Sequence, residues 1–455
     1  MALSGIQIYK LLPQTNCKEC GFPTCLAFAM KLAAKQVELS ACPYVTDESK
    51  KQLAESAAPP VRLISLKANG TEVKAGNEVV MFRHEKTFYN KPGLFVRVKA
   101  SDSNLAAKVA AADKYTVNYV GMDFTLNGFA VEADGGDAST SSAQAFAAAV
   151  KTVRGASKRP LILIGDPATL PAGLEALSNS STAGQIENPM IYAADGSNWE
   201  AMAGLAAKYK AALVVKGESL DELADLTQKI QAKGVEDMVL DLGGKNMAEW
   251  LTRSTQVRRL ALKANFRALG YPVIAFPGNV GDPAKEAVYA AQAIAKYAGF
   301  VVLDTFTPEL AYALLVLREN IYTDPQKPIQ VQPGIYEINN PTADAPALVT
   351  TNFSITYFSV ANEVEGSGLP ARLVVTDAEG MSVLTAWAAG KFDAERIAKA
   401  VKEFDVASKI NKKRIVLPGH VAVLSGELEE ELAGWEIRVG PREAVDLPAF
   451  LKKAL

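Results

Sequence analysis

Between residues 94 and 303 the chain alternates short, unbroken apolar runs with longer stretches rich in Ala, Lys and Glu. The runs are LFVRV (94–98), GFAVEA (128–133), LILIG (161–165), MIYAA (190–194), ALVV (212–215), MVLDL (238–242), VIAF (273–276) and FVVL (300–303). Strands buried on both faces read as continuous apolar runs, whereas half-buried strands alternate apolar and polar positions. Eight such runs, spaced by roughly 25 to 35 residues and separated by helical stretches, predict eight strand–helix units. That number and size match a (β/α)8 TIM barrel.

On either side of this region the pattern changes. Residues 1 to about 45 form a small cysteine-bearing module, and the polar stretch after it, ending in Ala57-Ala58-Pro59-Pro60, reads as a linker. A short β-rich segment runs from Val61 to Met81. After the eighth run comes a Pro-rich break, Asp324-Pro325, Lys327-Pro328 and Gln332-Pro333, then Pro341 and Pro346. Beyond it, NFSITYFSVANEVE places Phe353, Tyr357, Val360, Ala361 and Val364 at helical spacing, with Asn352 as its N-cap. Three strands follow, RLVVT (372–376), RIVL (414–417) and WEIRV (435–439). Between them lie a helix capped by Asp393, bearing Ile397, Ala400, Val401 and Phe404, and the helical stretch GELEEELAG. This β–α alternation predicts a small doubly wound, Rossmann-like sheet. The expected domains of this α/β chain are 1–57, 58–325 and 330–455.

Composition narrows the function classes. The chain has 455 residues, with 49% apolar and 22% charged positions, which describes a globular protein of about three domains. Forty-eight Lys plus Arg against 50 Asp plus Glu give a net charge of −2, and no block of five like charges occurs. Nucleic acid is therefore not an expected partner. No run of 18 apolar residues offers a membrane span and the start lacks a signal-peptide pattern, so a cytoplasmic protein with no membrane partner is expected. The 4 cysteines all fall between Cys17 and Cys42, which suits a metal site in a reducing compartment better than a disulfide framework.

Cys17-x2-Cys20-x4-Cys25-x16-Cys42 supplies four thiolates within 26 residues. Thr24 can cap a helix with Leu26, Met30, Ala33 and Val37 on one face, placing Cys25 in the first turn, where backbone N–H groups favour negative charge. Structural zinc also takes four cysteines, commonly as two close pairs, whereas three bunched ligands with a fourth remote is the commoner iron–sulfur arrangement. Spacing leaves the nuclearity open.

The segment LPQTNCKECGFPTCLAFAMKLA, closed by ACPY, together with the order of module, barrel and C-terminal α/β domain, resembles the large (gamma) subunit family of the corrinoid iron-sulfur protein and of acetyl-CoA decarbonylase/synthase. The resemblance implies a [4Fe-4S] cluster on Cys17, Cys20, Cys25 and Cys42. It also implies a corrinoid of the cobalamin type in the C-terminal domain. Ligands of open parallel sheets bind at the carboxyl ends of the strands. Carried over by position, the corrinoid-binding residues are Thr350, Thr356, Thr376, Gly380, Met381, Ser382, Val383, Gly440 and Arg442.

The chain has 2 histidines, His84 and His420, neither in an Asp-x-His-x-x-Gly setting. His420 reads as a turn residue at a strand end, with no orienting carboxylate that the sequence places. The corrinoid is therefore expected base-off, without a protein histidine ligand. The resemblance implies a methyl carrier of the reductive acetyl-CoA (Wood-Ljungdahl) pathway rather than a stand-alone catalyst. Co(I) accepts a methyl group from methyltetrahydrofolate via a methyltransferase, methyl-Co(III) passes it to acetyl-CoA synthase, and the cluster reduces inactive Co(II). The implied partners are a small subunit forming a heterodimer, that methyltransferase and acetyl-CoA synthase. Two other readings remain. A barrel with Asp166, Asp195, Lys216, Asp241, Asn279 and Asp304 at its strand ends is also the frame of a pterin methyltransferase, and a plain iron–sulfur electron-transfer subunit needs no corrinoid.

Overall fold

The computed structural model describes residues 5–33, 37, 39–46, 48–50, 53, 59–82, 85, 88, 90–119, 122–134, 140–180, 187–244, 246–323 and 329–453. They fall into two compact units, Met1–Tyr115 with Thr125–Tyr322, and Thr116–Phe124 with Thr323–Leu455. Ala57 and Ala58 of the linker and the Asp324–Pro328 part of the break lie outside the described residues, as does His84.

All eight apolar runs are strands of one closed barrel: β3 (Gly93–Lys99), β6 (Gly128–Glu132), β7 (Leu161–Ile164), β8 (Met190–Ala194), β9 (Ala212–Lys216), β10 (Met238–Asp241), β11 (Val273–Ala275) and β12 (Ala298–Leu303). Each pairs in parallel with the next, and β12 closes the ring on β3 through Phe300↔Gly93 to Leu303↔Val96. One set of alternate residues, including Phe95, Ala130, Ile162, Val214, Val239, Ile274 and Phe300, fills the interior. The other set meets the surrounding helices, which is why both parities are apolar. Local signals fix several helix starts: Ser219 and Asn246 accept from the N–H of Glu222 and Glu249, capping the helices Leu220–Ala232 and Met247–Lys263.

The β-rich segment before the barrel is a hairpin, β1 (Ile64–Ala68) and β2 (Thr71–Ala75), in antiparallel register. Asn69 and Gly70 turn it with φ of 45° and 82°, the pair of left-handed residues that a two-residue hairpin turn requires. Ile64, Leu66, Val73 and Ala75 join the interior cluster, so the hairpin plugs the N-terminal end of the barrel. The opposite end, where catalytic residues of such barrels sit, stays open.

Among the described residues the main sheet of the second unit has five strands, not the three read from sequence. β13 (Gly334–Ile338), β14 (Ala347–Thr351), β15 (Ala371–Thr376), β16 (Arg414–Leu417) and β17 (Glu436–Val439) lie in the order β13-β15-β14-β16-β17. β13 is an antiparallel edge and the other four are parallel. Ala347, Val349, Val374, Ile415, Leu417 and Ile437 face a cluster that includes residues of the helices Val383–Ala388, Ala394–Glu403 and Ser425–Glu431. Leu348, Leu373, Val375 and Val416 face a second cluster with residues of the helices Ser354–Ser367 and Leu447–Lys453. Helices therefore cover both faces, as the continuous apolar strands demand. A two-stranded ribbon, β4 (Thr116–Tyr119) and β5 (Met122–Thr125), leaves the barrel sequence between β3 and β6. Its Tyr119 and Met122 pack against the second of these clusters.

No helix among the described residues is long and apolar enough to cross a membrane.

Candidate functional site: a crevice in the C-terminal sheet and a cysteine module

In the N-terminal module Cys25 begins the helix Cys25–Ala33, and Thr24 Oγ1 accepts from the Ala27 N–H at 3.1 Å, as the sequence predicts. The predicted apolar face is displaced, however. Leu26 and Met30 are exposed, while Cys25, Phe28 and Ala29 are buried. The helix therefore turns its cysteine inward and packs it in one small cluster with Ile8, Leu12, Cys42 and Val45, with Cys20 against its edge.

All four cysteines are free thiols, Cys17 exposed, Cys20 half-buried and Cys25 and Cys42 buried. Among the described residues no three His, Cys, Asp or Glu side chains are grouped as a ready-made ion site. The donor chemistry nevertheless fits an iron–sulfur cluster. The Asn16 N–H donates to Cys25 Sγ at 3.4 Å, and Asn16 Oδ1 accepts from the Cys25 N–H at 2.8 Å. Hydrogen bonds to cysteine sulfur are one of the means by which proteins hold and tune such clusters. On the exposed side the Tyr44 hydroxyl donates to Glu19 at 2.7 Å. That hydrogen bond and the Glu19 charge raise the Tyr44 pKa, with smaller contributions from burial and from Cys17 and Cys42 nearby.

In the C-terminal sheet β14 is the switch strand. The chain winds from it to β15 on one side and reaches β16 on the other, so the crevice beyond the carboxyl ends of β14 and β16 is where an open parallel sheet accepts ligands. A cavity of about 310 Å³ occupies that position. Of the residues singled out from sequence, Thr350, Thr356, Ser382, Val383, Gly440 and Arg442 line it. Thr376, Gly380 and Met381 do not. The Thr376 hydroxyl donates to the Thr350 carbonyl at 3.2 Å, Gly380 shapes the loop after β15, and Met381 packs into the core beneath.

Thr350 carries the clearest sign of a missing partner. It is 1% exposed, and its Oγ1 has no hydrogen-bond partner. Buried hydroxyls are normally satisfied, so an orphan on a cavity wall fits a polar ligand. Around it the lining mixes Ile355, Val360, Val383 and Leu384 with the hydroxyls of Thr356, Ser359 and Ser382. An apolar ring system fringed with amides meets both kinds of group there.

Sequence reasoning assigned Asn352 to the helix N-cap, and the structure corrects this. The helix starts at Ser354 after Phe353 and has no side-chain cap. Asn352, 1% exposed, instead holds the loop after β15: Oδ1 accepts from the N–H of Ala378 at 2.9 Å and of Gly380 at 3.0 Å, while Nδ2 donates to Gln330 and Asp377. Gly380 completes that turn at φ 72°, and an added Cβ would lie 2.7 Å from Gln330. On the other side of the crevice the loops after β16 and β17 cross closely. A Cβ on Gly419 would lie 2.6 Å from the Gly440 carbonyl oxygen.

His420, also read as a plain turn residue, lines the cavity, and the carboxylate that the sequence did not place is Glu443, with Oε1 3.8 Å from His420 Nε2. At the open end of the barrel, Asp166, Asp195 and Asp304 serve local structure. Asp166 and Asp195 close turns, and Asp304 pairs with Arg97. Lys216, Asp241 and Asn279 line a separate cavity there.

The family described as CO dehydrogenase/acetyl-CoA synthase delta subunit matches residues 64–451, and an Fe-S cluster family matches residues 12–44, which include all four cysteines. The corrinoid/iron-sulfur protein large subunit of Moorella thermoacetica is 43% identical over 100% of both chains. The chain belongs to the family of corrinoid/iron-sulfur protein large subunits. The gamma subunit of the acetyl-CoA decarbonylase/synthase complex of Methanosarcina acetivorans is 34% identical over 99% of this chain and 98% of its own length. Among solved structures, dihydropteroate synthase from Thermus thermophilus covers 57% of this chain and 100% of its own, at 16% identity and a TM-score of 0.38. The (β/α)8 barrel and the cysteine module expected of this family are both present in the chain.

Proposed function

We propose that this chain is a corrinoid methyl carrier of the acetyl-CoA pathway. In this reading its doubly wound C-terminal unit binds the corrinoid, and a small subunit completes a heterodimer in the cytoplasm. A methyltransferase loads the carrier from methyltetrahydrofolate and acetyl-CoA synthase unloads it. A bound corrinoid supplies a cobalt nucleophile that takes up and releases a methyl group, and a [4Fe-4S] cluster supplies single electrons that keep it in the active oxidation state. The observation that carries the reading is the orphaned Thr350 hydroxyl on the wall of a crevice at the switch strand, in a chain that also brings four free thiols.

Each protein group has a definite task. Thr350, Thr356 and Ser382 would donate to or accept from the amide fringe, while Val383 and its apolar neighbours exclude water from the ring. Thr376, Gly380 and Met381 hold the loop behind that wall. Gly419 lets the loop after β16 approach the Gly440 carbonyl closely, Gly440 itself lies against the end of β16, and Arg442 offers a cation at the rim. Cys17, Cys20, Cys25 and Cys42 would ligate the cluster, with the Asn16 N–H supporting the Cys25 sulfur. The proposed corrinoid is base-off and takes no protein imidazole, so His420 belongs to the wall.

Anaerobic spectroscopy and metal analysis of the chain, alone and co-purified with a small subunit, test this. The reading requires about one cobalt and about four iron per chain, as one corrinoid and one four-cysteine cluster demand, with a base-off spectrum. The cobalt(II) form should give an electron paramagnetic resonance signal without nitrogen splitting. Iron without cobalt in both preparations would refute it.

A further inference from the structure

The open end of the barrel holds a second site that the carrier reading leaves unused. Its cavity measures about 420 Å³, within the roughly 300–1,000 Å³ of small-molecule sites. Aromatic rings wall it: Tyr192 stands edge-on to Phe276 at 4.8 Å, and Trp250 edge-on to Tyr289 at 5.9 Å. Both pairs line the cavity beside Asp241.

Asp241 is presented as an acceptor. Its Oδ2 accepts from the Tyr192 hydroxyl at 2.8 Å and its Oδ1 from the Gly243 N–H at 2.9 Å. Burial and the Asp241 charge both raise the Tyr192 pKa, so the phenol stays protonated and keeps donating. Each carboxylate oxygen retains a further lone pair, so a ligand edge with two adjacent N–H groups finds a bidentate partner. A second, independent feature is Trp250. The residue is 2% exposed, and its Nε1–H has no acceptor. Native proteins seldom leave a buried donor unpaired.

We propose that this cavity binds a planar heteroaromatic ring through a cyclic guanidine edge on Asp241, with a ring acceptor taking the Trp250 Nε1–H. Pterins and guanine share that edge. The site draws on none of the residues assigned to the corrinoid, so it stands or falls separately from the carrier reading.

The test is calorimetric titration of the full chain with two probes, 5-methyltetrahydrofolate and GMP, supported by tryptophan fluorescence. Saturable binding of at least one probe is expected, and which one saturates distinguishes the two sources of the ring. Asp241→Asn should weaken binding about tenfold or more, because one acceptor of a charge-assisted pair becomes a donor. Trp250→Phe keeps the aromatic wall and should weaken it severalfold. If Asp241→Asn lowers the thermal transition, Trp250→Phe alone decides. Failure of both probes to saturate at millimolar concentration, or unchanged affinity in folded variants, overturns the proposal, whatever the cobalt content.

Discussion

Replacing Thr350 by Val tests the crevice with a perturbation whose two consequences have opposite signs. Valine has nearly the shape of threonine but no hydroxyl, and the Thr350 hydroxyl is buried without a partner. Without ligand, the substitution removes an unmet polar group whose burial costs about 1–3 kcal/mol. The C-terminal unit should therefore become more stable, by about 1 kcal/mol once imperfect packing of the new methyl is allowed for. For a unit of this size that raises its thermal midpoint by about 2–4 °C. With corrinoid bound, the same change removes a hydrogen bond worth about 0.5–1.5 kcal/mol, so retention should fall by about 2- to 12-fold. Calorimetry of the corrinoid-free protein, followed by dialysis of the loaded protein with cobalt counting, measures both. A less stable cofactor-free variant with unchanged cobalt retention would refute the reasoning, since the hydroxyl would then have a structural partner and no ligand.

Other outcomes follow from the same contacts. Asn352→Leu strands the N–H groups of Ala378 and Gly380, at about 1–3 kcal/mol each, so hydrogen exchange at both amides should accelerate and cobalt should be lost while iron stays. Gly380→Ala forces a side chain into a left-handed turn against Gln330, which should cost about 1–3 kcal/mol, read as a lower thermal midpoint. Burial raises the Glu187 pKa and lowers that of Arg154, so each needs the other. Glu187→Ala, which strands the guanidinium, should destabilise the barrel by about 3–5 kcal/mol in urea unfolding. Cys42→Ser should abolish reductive reactivation yet leave methyl transfer from pre-reduced protein largely intact; equal loss of both would contradict the separate roles.

The barrel was legible in sequence because burial on both faces leaves unbroken apolar runs, and every one of the eight became a strand. β13 and β14 were not. Gly334–Ile338 is a half-exposed edge strand with no apolar run, and Ala347–Thr351 ends in two threonines within a Pro-rich stretch. Losing β14 concealed the switch strand, and with it the reason why Thr350 sits in a crevice. Asn352 was misread because an asparagine before a helix has the same sequence signature whether it bonds the helix or a distant loop. Its partners at 377–380 lie about 26 positions away, beyond any local pattern. Leu26 and Met30 show the same limit: amphipathic spacing marks two apolar faces on a short helix, and tertiary packing against Cys42 selects the one with Cys25.

The ribbon at 116–125 bears on how the protein can be cut and how its parts were assembled. Tyr119 and Met122 pack against the core of the second unit although barrel strands precede and follow them in the chain. A fragment beginning near residue 330 would therefore lack part of the cover over its own core, and should be recovered in better yield when a 116–125 peptide is supplied in trans. A barrel freed of its partner would carry an apolar ribbon with nothing to cover it. The two units are interlaced along the chain, so neither can be exchanged by a simple fusion at one junction.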